Sequence, residues 1–508
     1  MQWVLDKKDF VKGVATSQEL GGFWADMQGL DVYRSLLTTN TANYNTIGAM
    51  RSAYAATRID SDEGIAANIL VFAPFFSASA QMLYGFGSSS TSGQVYKVNT
   101  STDALSTVAA MQGFDNGATV FYNTGTTTAN YIYVSGDTRV RRYNLDSDTF
   151  QDGDDQAQHV FTNSSSNHPL CVKNGKLYMG DVTHIDSMTN AGVVTEAALS
   201  IPSNYTIVTI SDYDKYLAIG CVEGVDSSSL KSKVFFWDTT SLNWNFEVSI
   251  PDHLVQLKNE YGILYALTGG NDFALHYFTG SRFEAVTTKT DRTIALSLPT
   301  AGNSVLDFDR GQAFWPVQDI TTGSSEIDIW SYGSKYAELP KVLNIPFRTS
   351  NTSSSGNAIG ALAVGTRDKV YVSYVDSDGI SKLSVHKSGN HATANGLTVE
   401  LDSYFGGSGA LKKLNFIRCE FSPLVSGDNI AINAGFDLET TTDYIDGGSA
   451  GVTNSIRFAD LGAVTSHTIY PKQEFRELQL QPIFESGTGD VALRRIVIDW
   501  DYVERYGN

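Results

Sequence analysis

One feature limits this chain more than any other: a short apolar strand, carrying an aromatic residue, returns seven times at near-regular spacing. The instances are Leu83-Tyr84, Ile132-Tyr133, Leu177-Tyr178, Tyr216-Leu217, Leu264-Tyr265, Ala313-Phe314 and Val370-Tyr371. From positions 84, 133, 178, 217, 265, 314 and 371 the steps are 49, 45, 39, 48, 49 and 57 residues. A period near about 40–50 residues is that of a four-stranded propeller blade. One blade cannot bury both of its faces. Stacking blades around an axis covers each face with the next, and closing the circle leaves only short edges.

Each unit adds detail. Asn174-Gly175 precedes Leu177, and Tyr261-Gly262 precedes Leu264, as hairpin turn signals. A second alternating strand follows the first, as in Val95-Tyr96-Lys97-Val98, Val140-Arg141-Arg142-Tyr143, Val234-Phe235-Phe236-Trp237, Leu275-His276-Tyr277-Phe278, Ile327-Asp328-Ile329-Trp330 and Leu383-Ser384-Val385-His386. After a polar turn comes an apolar edge, such as Leu105, Phe150, Trp244, Phe283 or Tyr336. The order reads as inner, middle and outer strand. Residues 65–395 therefore predict an all-β propeller of seven blades, or six if the weak third unit around Leu177 merges with a neighbour. Trp237-Asp238 is a single WD-like dipeptide without a matching Gly-His, so the chain does not read as WD40.

The pattern changes after residue 396. Ile417, Cys419 and Phe421 share a face, as do Ile430, Ile432, Ala434 and Phe436; Phe475, Leu478, Leu480 and then Ile496, Ile498, Trp500 and Tyr502 follow. Residues 396–508 read as an antiparallel β-sandwich. Residues 1–64 read as an irregular N-terminal arm that docks onto a neighbour. Gly21, Gly22 and Gly29 weaken the helical pattern of Leu20 to Leu37, and Thr38 to Thr46 is rich in Thr and Asn.

Composition narrows the function. With 36 Lys and Arg against 55 Asp and Glu, the net charge is −19. Such a surface repels phosphate backbones and excludes sequence-specific nucleic-acid binding, though DNA could slide past an acidic wall. Met1 to Val14 lacks the apolar core of a secretory signal. The longest apolar run, near Ile69 to Phe76, is too short to span a bilayer and contains Pro74. Cys171, Cys221 and Cys419 are far apart and read as buried, reduced thiols.

No catalytic, cofactor-binding or metal-ligating residue is predicted. The histidines at 159, 168, 184, 253, 276, 386, 391 and 467 form no HExxH or other close ligand pair; His386 and His391 flank a turn. Gly447-Gly448-Ser449-Ala450-Gly451 matches GxSxG, but its loop-like flanks lack the strand and helix of a nucleophile elbow. Asp376-Ser377-Asp378-Gly379 resembles the start of a calcium loop without the later ligands and reads as a hairpin turn. Asp146, Asp148, Asp152, Asp154 and Asp155 read as solvated loop charge.

A resemblance adds to this. The junction Gly396-Leu397-Thr398-Val399-Glu400-Leu401-Asp402-Ser403-Tyr404-Phe405-Gly406, followed by Leu411-Lys412-Lys413-Leu414, resembles that of β-propeller virion proteins of tailed bacteriophages. So do the unit from Val255 through Leu264-Tyr265 to Phe283-Glu284, and the ending Phe475-Arg476-Glu477-Leu478 with Arg495 to Trp500. The likeness spans about residues 250–508, and the N-terminus departs from it. It implies a structural protein of the tail or head–tail connector, assembled as a homo-oligomer with other virion proteins in the bacterial host cytoplasm, and no enzyme. The alternatives are a host-surface glycan binder, stacking sugars on Trp237, Trp330 and Tyr332, and a polysaccharide-cleaving propeller.

Overall fold

The computed structural model describes residues 1–5, 24–28, 50–51, 54–60, 64–76, 81–88, 93–111, 117–120, 131–136, 138–150, 158–163, 168–224, 231–269, 273–289, 292–293, 304–319, 327–333, 341–348, 359–365, 369–376, 378–391, 394–398, 410–422, 429–436, 456–457, 465–470, 474–485 and 492–503. Every regular element among them is a β-strand, and none is a helix able to cross a membrane.

Seven antiparallel sheets correspond to the seven repeats. Blade one is Asn68–Phe76, Gln81–Ser88, Gly93–Asn99 and Ala104–Met111. Blade two is Ala118–Val120, Tyr131–Gly136, Arg139–Asn144 and Thr149–Phe150, with His159–Val160 also paired on the third strand. Blade three is Leu170–Lys173, Lys176–Asp181, His184–Thr189 and Val194–Ser200, a complete blade where the sequence signal is weakest. Blade four is Tyr205–Tyr213, Tyr216–Glu223, Lys231–Trp237 and Phe246–Pro251; blade five is His253–Glu260, Ile263–Gly269, Phe273–Phe278 and Phe283–Lys289. In blade six, Arg292–Thr293 and Asp307–Asp309 both pair with Gln312–Asp319, followed by Ile327–Gly333 and Val342–Arg348. Blade seven is Ile359–Val364, Val370–Val375 and Ser381–His391, and its fourth strand is Tyr54–Arg58.

Neighbouring sheets touch all the way round. Val71, Ala73 and Phe86 of blade one pack on Ile132 and Val134 of blade two. Tyr131 and Val140 meet Leu177 and Met188 of blade three, and Ile185 and Leu199 meet Ile207 and Ile219 of blade four. Leu254 and Leu264 of blade five pack on Val208 and Phe236. Val305 and Leu306, entering blade six, donate their amides to Gln256 Oε1 of blade five at 2.8 and 2.7 Å. Val364 N of blade seven donates to Asp307 Oδ2 of blade six at 2.7 Å. Ala361, Tyr371 and Leu383 of blade seven pack on Ile69, Phe72 and Leu83 of blade one, which shuts the circle. The chain is a seven-bladed propeller with a sandwich.

Two sequence expectations change. The recurring Leu-Tyr strand is not the innermost: Tyr84, Tyr133, Tyr178, Leu217, Tyr265, Phe314 and Tyr371 all lie on the second strand of their blades. The innermost strands carry no constant residue, because that position needs only compact burial, as in the buried run Tyr205–Ser211. The second-strand aromatic recurs because it spans to the next blade. Tyr84 OH donates to Asp148 Oδ1 at 3.4 Å, in the last turn of blade two. Tyr371 OH donates to Asp103 Oδ1 at 2.7 Å, in the equivalent turn of blade one. Asp103 and Asp148 have φ of 60° and 52°, held in that left-handed shape by turns in which Asn99 and Asn144 side chains accept two amides each. Lys369 and Lys97 add ion pairs to the same carboxylates at 2.8 and 2.7 Å. The acidic pair Asp146 and Asp148 is thus not simply solvated: Asp148 latches two blades.

The second change concerns residues 1–64, expected to be irregular. Among the described residues there, four strands occur: Gln2–Leu5, Trp24–Gln28, Met50–Arg51 and Tyr54–Arg58. An open sheet edge exposes unpaired amides and carbonyls, and these segments fill such edges despite weak local patterns. By compactness, Thr57–Ile327 with Thr349–His386 form one unit, and Met1–Ala56, Asp328–Arg348 and Lys387–Asn508 form another.

Besides the last two strands of blade six, the described residues of the second unit form two sheets. One has the order Gln2–Leu5, Ala492–Tyr502, Lys412–Phe421, Ser466–Ile469, with Met50–Arg51 and Glu474–Phe475 added at its sides. The other runs Trp24–Gln28, Ala394–Thr398, Leu478–Glu485, Asn429–Phe436, Ile456–Arg457. The expected faces are buried: Ile417, Cys419 and Phe421 on one sheet, Ile430, Ile432, Leu478 and Leu480 on the other, with Ile496, Ile498 and Trp500. Tyr502 is exposed instead. Gln2–Leu5 pairs with Asp499 back to Ile496, and Trp3 lies buried 5.1 Å from the Trp500 ring.

Candidate functional site

The densest set of chemically capable side chains among the described residues sits on the hairpin between the second and third strands of blade three. Asp181 ends one strand and His184 begins the next, directly opposite in register. The turn between them is Val182-Thr183, and Val182 has φ 55°, unusual for a β-branched residue. Main-chain bonds hold it there: Ile207 N donates to Val182 O at 2.7 Å and Ile201 N to Thr183 O at 2.8 Å. Alternation places Asp186 on the same side as His184, two residues on.

A fourth group arrives from another sheet. His159, on the short strand paired with blade two, brings Nε2 to 2.7 Å from Asp186 Oδ2. His184 Nε2 lies 3.2 Å from Asp181 Oδ2 and 3.7 Å from Asp186 Oδ1. The donor atoms of Asp181, His184 and Asp186 all lie within 4.8 Å of one another. Both carboxylates are deeply buried, at 0 and 1% exposure. Asp181 Oδ2 accepts from the amides of Thr162 and Asn163 at 2.9 and 3.3 Å, while its Oδ1 has no hydrogen-bond partner. Asp186 Oδ1 accepts from Ala197 N at 2.7 Å. Burial works to raise the Asp186 pKa, but the His159 hydrogen bond and the Ala197 amide outweigh it and hold the carboxyl below its usual range. His168 backs the site, stacked on Phe161 at 3.8 Å with Nδ1 2.9 Å from Gly180 O; burial lowers its pKa. One imidazole and two carboxylates with donor atoms this close, and a second imidazole hydrogen-bonded to one of them, can share protons or hold a cation.

Sequence reasoning passed over this cluster because it sought histidine pairs. The available signal was Asp181-x-x-His184-x-Asp186 just after the Leu177-Tyr178 strand. The other singled-out residues fall elsewhere. Asp376 Oδ1 accepts from Asp378 N and Ile380 N at 3.0 and 2.9 Å, forming the turn between two strands of blade seven. Asp152, Asp154, Asp155 and the segment Gly447 to Gly451 lie outside the described residues. Trp237 and Trp330, which the glycan-binding alternative needs exposed, are buried; Trp237 packs edge-on against Tyr178 at 5.8 Å and donates Nε1–H to Ser241 O. Side chains of this bulk on third strands fill the space between blades. Tyr332 is half-buried. Cys221 and Cys419 are buried, Cys171 half-buried, and all three are free thiols; burial pushes Cys419 up to about 12.

No protein-family model matches the chain, and no curated protein matches it. Solved structures do show similarity. A chain of a Saccharomyces cerevisiae complex of Dbp5 with Nup159, Gle1, IP6 and ADP is 12% identical, with a TM-score of 0.39 over 66% of this chain and 94% of that one. A chain of the Mitotic Checkpoint Complex is 14% identical, with a TM-score of 0.40 over 70% and 96%. BamB from Moraxella catarrhalis is 13% identical, with a TM-score of 0.36 over 67% and 94%.

Proposed function

We propose that this chain is a structural protein of a tailed-bacteriophage virion, in the tail or head–tail region, working through contacts with other virion proteins and with copies of itself. The observation that carries the reading is the passage from propeller to sandwich, Gly396 to Leu414, with its likeness to phage virion propellers. Surface chemistry supports a role in contact. In blades three, four and five the turn joining strands one and two and the turn joining strands three and four lie at the same end. In blades three, four and five those turns present Val193, Leu242 and Tyr261, at 62, 93 and 81% exposure. Large apolar side chains at the tips of three successive blades suit a protein interface better than a solvated rim. The net charge of −19 suits a wall past which DNA moves without adhering.

The test is assembly. Purified full-length chain, alone and mixed with the products of adjacent genes, would be sized by light scattering and imaged in negative stain. Rings or tube-bound particles are expected. Monomers under both conditions would overturn the reading.

A further inference from the structure

We propose that Asp181, His184 and Asp186 of blade three form a binding site for a divalent transition ion, best suited to Zn2+, with His159 hydrogen-bonded to Asp186 from the strand added to blade two. The ligand chemistry is the first support. Imidazole nitrogen with carboxylate oxygen selects zinc and its neighbours over calcium or magnesium, which take oxygen ligands. Spacing is the second. Bonds of about 2.0–2.2 Å place tetrahedral ligands roughly 3.4 Å apart. The contacts of His184 with Asp181 and Asp186, 3.2 and 3.7 Å, bracket that value.

The third support is independent of the cluster's shape. Asp181 is wholly buried, and one oxygen of the carboxyl that lies against His184 has no hydrogen-bond partner. Leaving such an oxygen unsatisfied is costly, and a cation would remove that cost. The partners given to these two carboxylates are main-chain amides and imidazoles. With neutral imidazoles the site carries two buried negative charges, and an ion of charge +2 balances them. His184 is 16% exposed at its side chain and gives solvent access from one side.

Three protein ligands leave one tetrahedral position for water or a further ligand. The ligands share one hairpin, and the group that braces Asp186 comes from another sheet. His159 is carried by the strand paired to Arg139-Val140 of blade two, and the other three by one hairpin of blade three. An ion here holds the blade-three hairpin, and the Asp186–His159 bond ties that hairpin to the strand added to blade two.

The experiment uses full-length protein stripped with a chelator, then titrated with ZnCl2, CoCl2 or MgCl2. About one zinc per chain is expected by elemental analysis, with a rise in Tm. Cobalt should give the intense visible bands of a four-coordinate nitrogen–oxygen site, and magnesium should not compete. His184→Ala and Asp186→Asn should each weaken zinc binding on the order of 100-fold or more, whereas the exposed His467→Ala should not. Absence of saturable uptake by the native chain would overturn the proposal, as would unchanged uptake by a folded His184→Ala variant. If neither variant folds, the cobalt spectrum of the native chain decides: no four-coordinate bands, no site.

Discussion

The junction between blades four and five and the junction between blades seven and one solve the same packing problem with different chemistry. The first is almost wholly apolar. Val208, Val234, Phe236, Leu254, Leu257, Leu264 and Phe278 are buried together, with Phe236 and Phe278 stacked at 4.9 Å. Gly220 lies so close that an added Cβ would stand 2.5 Å from Leu254. The second has an apolar core too, but adds directed polar bonds. Ser373 Oγ donates to Asn68 Oδ1 at 2.5 Å and accepts from Ile69 N at 3.0 Å; Tyr371 and Lys369 converge on Asp103. Blades four and five follow one another in the chain, so a short connection sets their register and non-directional burial suffices. Blades seven and one meet across separations of 266 to 305 residues. There the chain must find one register among many, and hydrogen bonds with fixed geometry discriminate where grease does not.

The contrast breaks most sharply under truncation. Leu254→Ala should destabilise the propeller by about 3–4 kcal/mol, through lost burial and a cavity that stiff aromatic neighbours cannot fill. Chemical denaturation would measure it. Asp103→Ala should cost about 3 kcal/mol, because it leaves the Tyr371 hydroxyl and the Lys369 ammonium without their shared acceptor in a buried place. The two variants should differ in kind. Leu254→Ala should lower the melting temperature of a ring that stays closed. Asp103→Ala should raise hydrogen exchange first at blades one and seven. Uniform exchange in both would dissolve the distinction.

The repeat was legible because an aromatic on the second strand is needed at each step, whether it reaches an aspartate, as Tyr84 and Tyr371 do, or a neighbouring ring, as Tyr265 does with Phe308 at 4.9 Å. Which strand held that aromatic was not legible, since the innermost strands ask only for compact burial. Nor was the fourth strand of blade seven. Tyr54-Ala55-Ala56-Thr57-Arg58 has no apolar alternation, and its pairing answers to the free edge of Ser381–His391, more than 300 residues away. The His–Asp cluster hid for a related reason. Its hairpin half is local, but His159 joins it through strand pairing with blade two.

Acid should expose a third difference. His276, on the third strand of blade five, is buried with Nε2 3.1 Å from Thr268 Oγ1, and burial lowers its pKa to about 4. A histidine depressed in the folded state stabilises fully above its unfolded pKa of about 6.5; that stability drains away as pH falls and is gone below about 4. The native chain should lose about 2–3 kcal/mol across this window from His276 alone. His276→Gln should flatten the slope between pH 6.5 and 4 in a denaturation series. An unchanged slope would place the acid sensitivity in other groups.

The smallest expected effect tests the closure most finely. Tyr371→Phe removes one hydroxyl and leaves the ring in its apolar seat, beside Ala361 and Leu383. Asp103 keeps its ion pair with Lys369 at 2.8 Å, so no charge is stranded. The cost should be about 1–2 kcal/mol, the worth of a hydrogen bond to a charged acceptor. The double variant Tyr371→Phe with Lys369→Met should cost more than the sum of the singles, because only then does a nearly buried carboxylate lose the hydroxyl and the ammonium together. A strictly additive cycle would mean that Asp103 is already satisfied by other groups, and that closure rests on its apolar packing as blades four and five do.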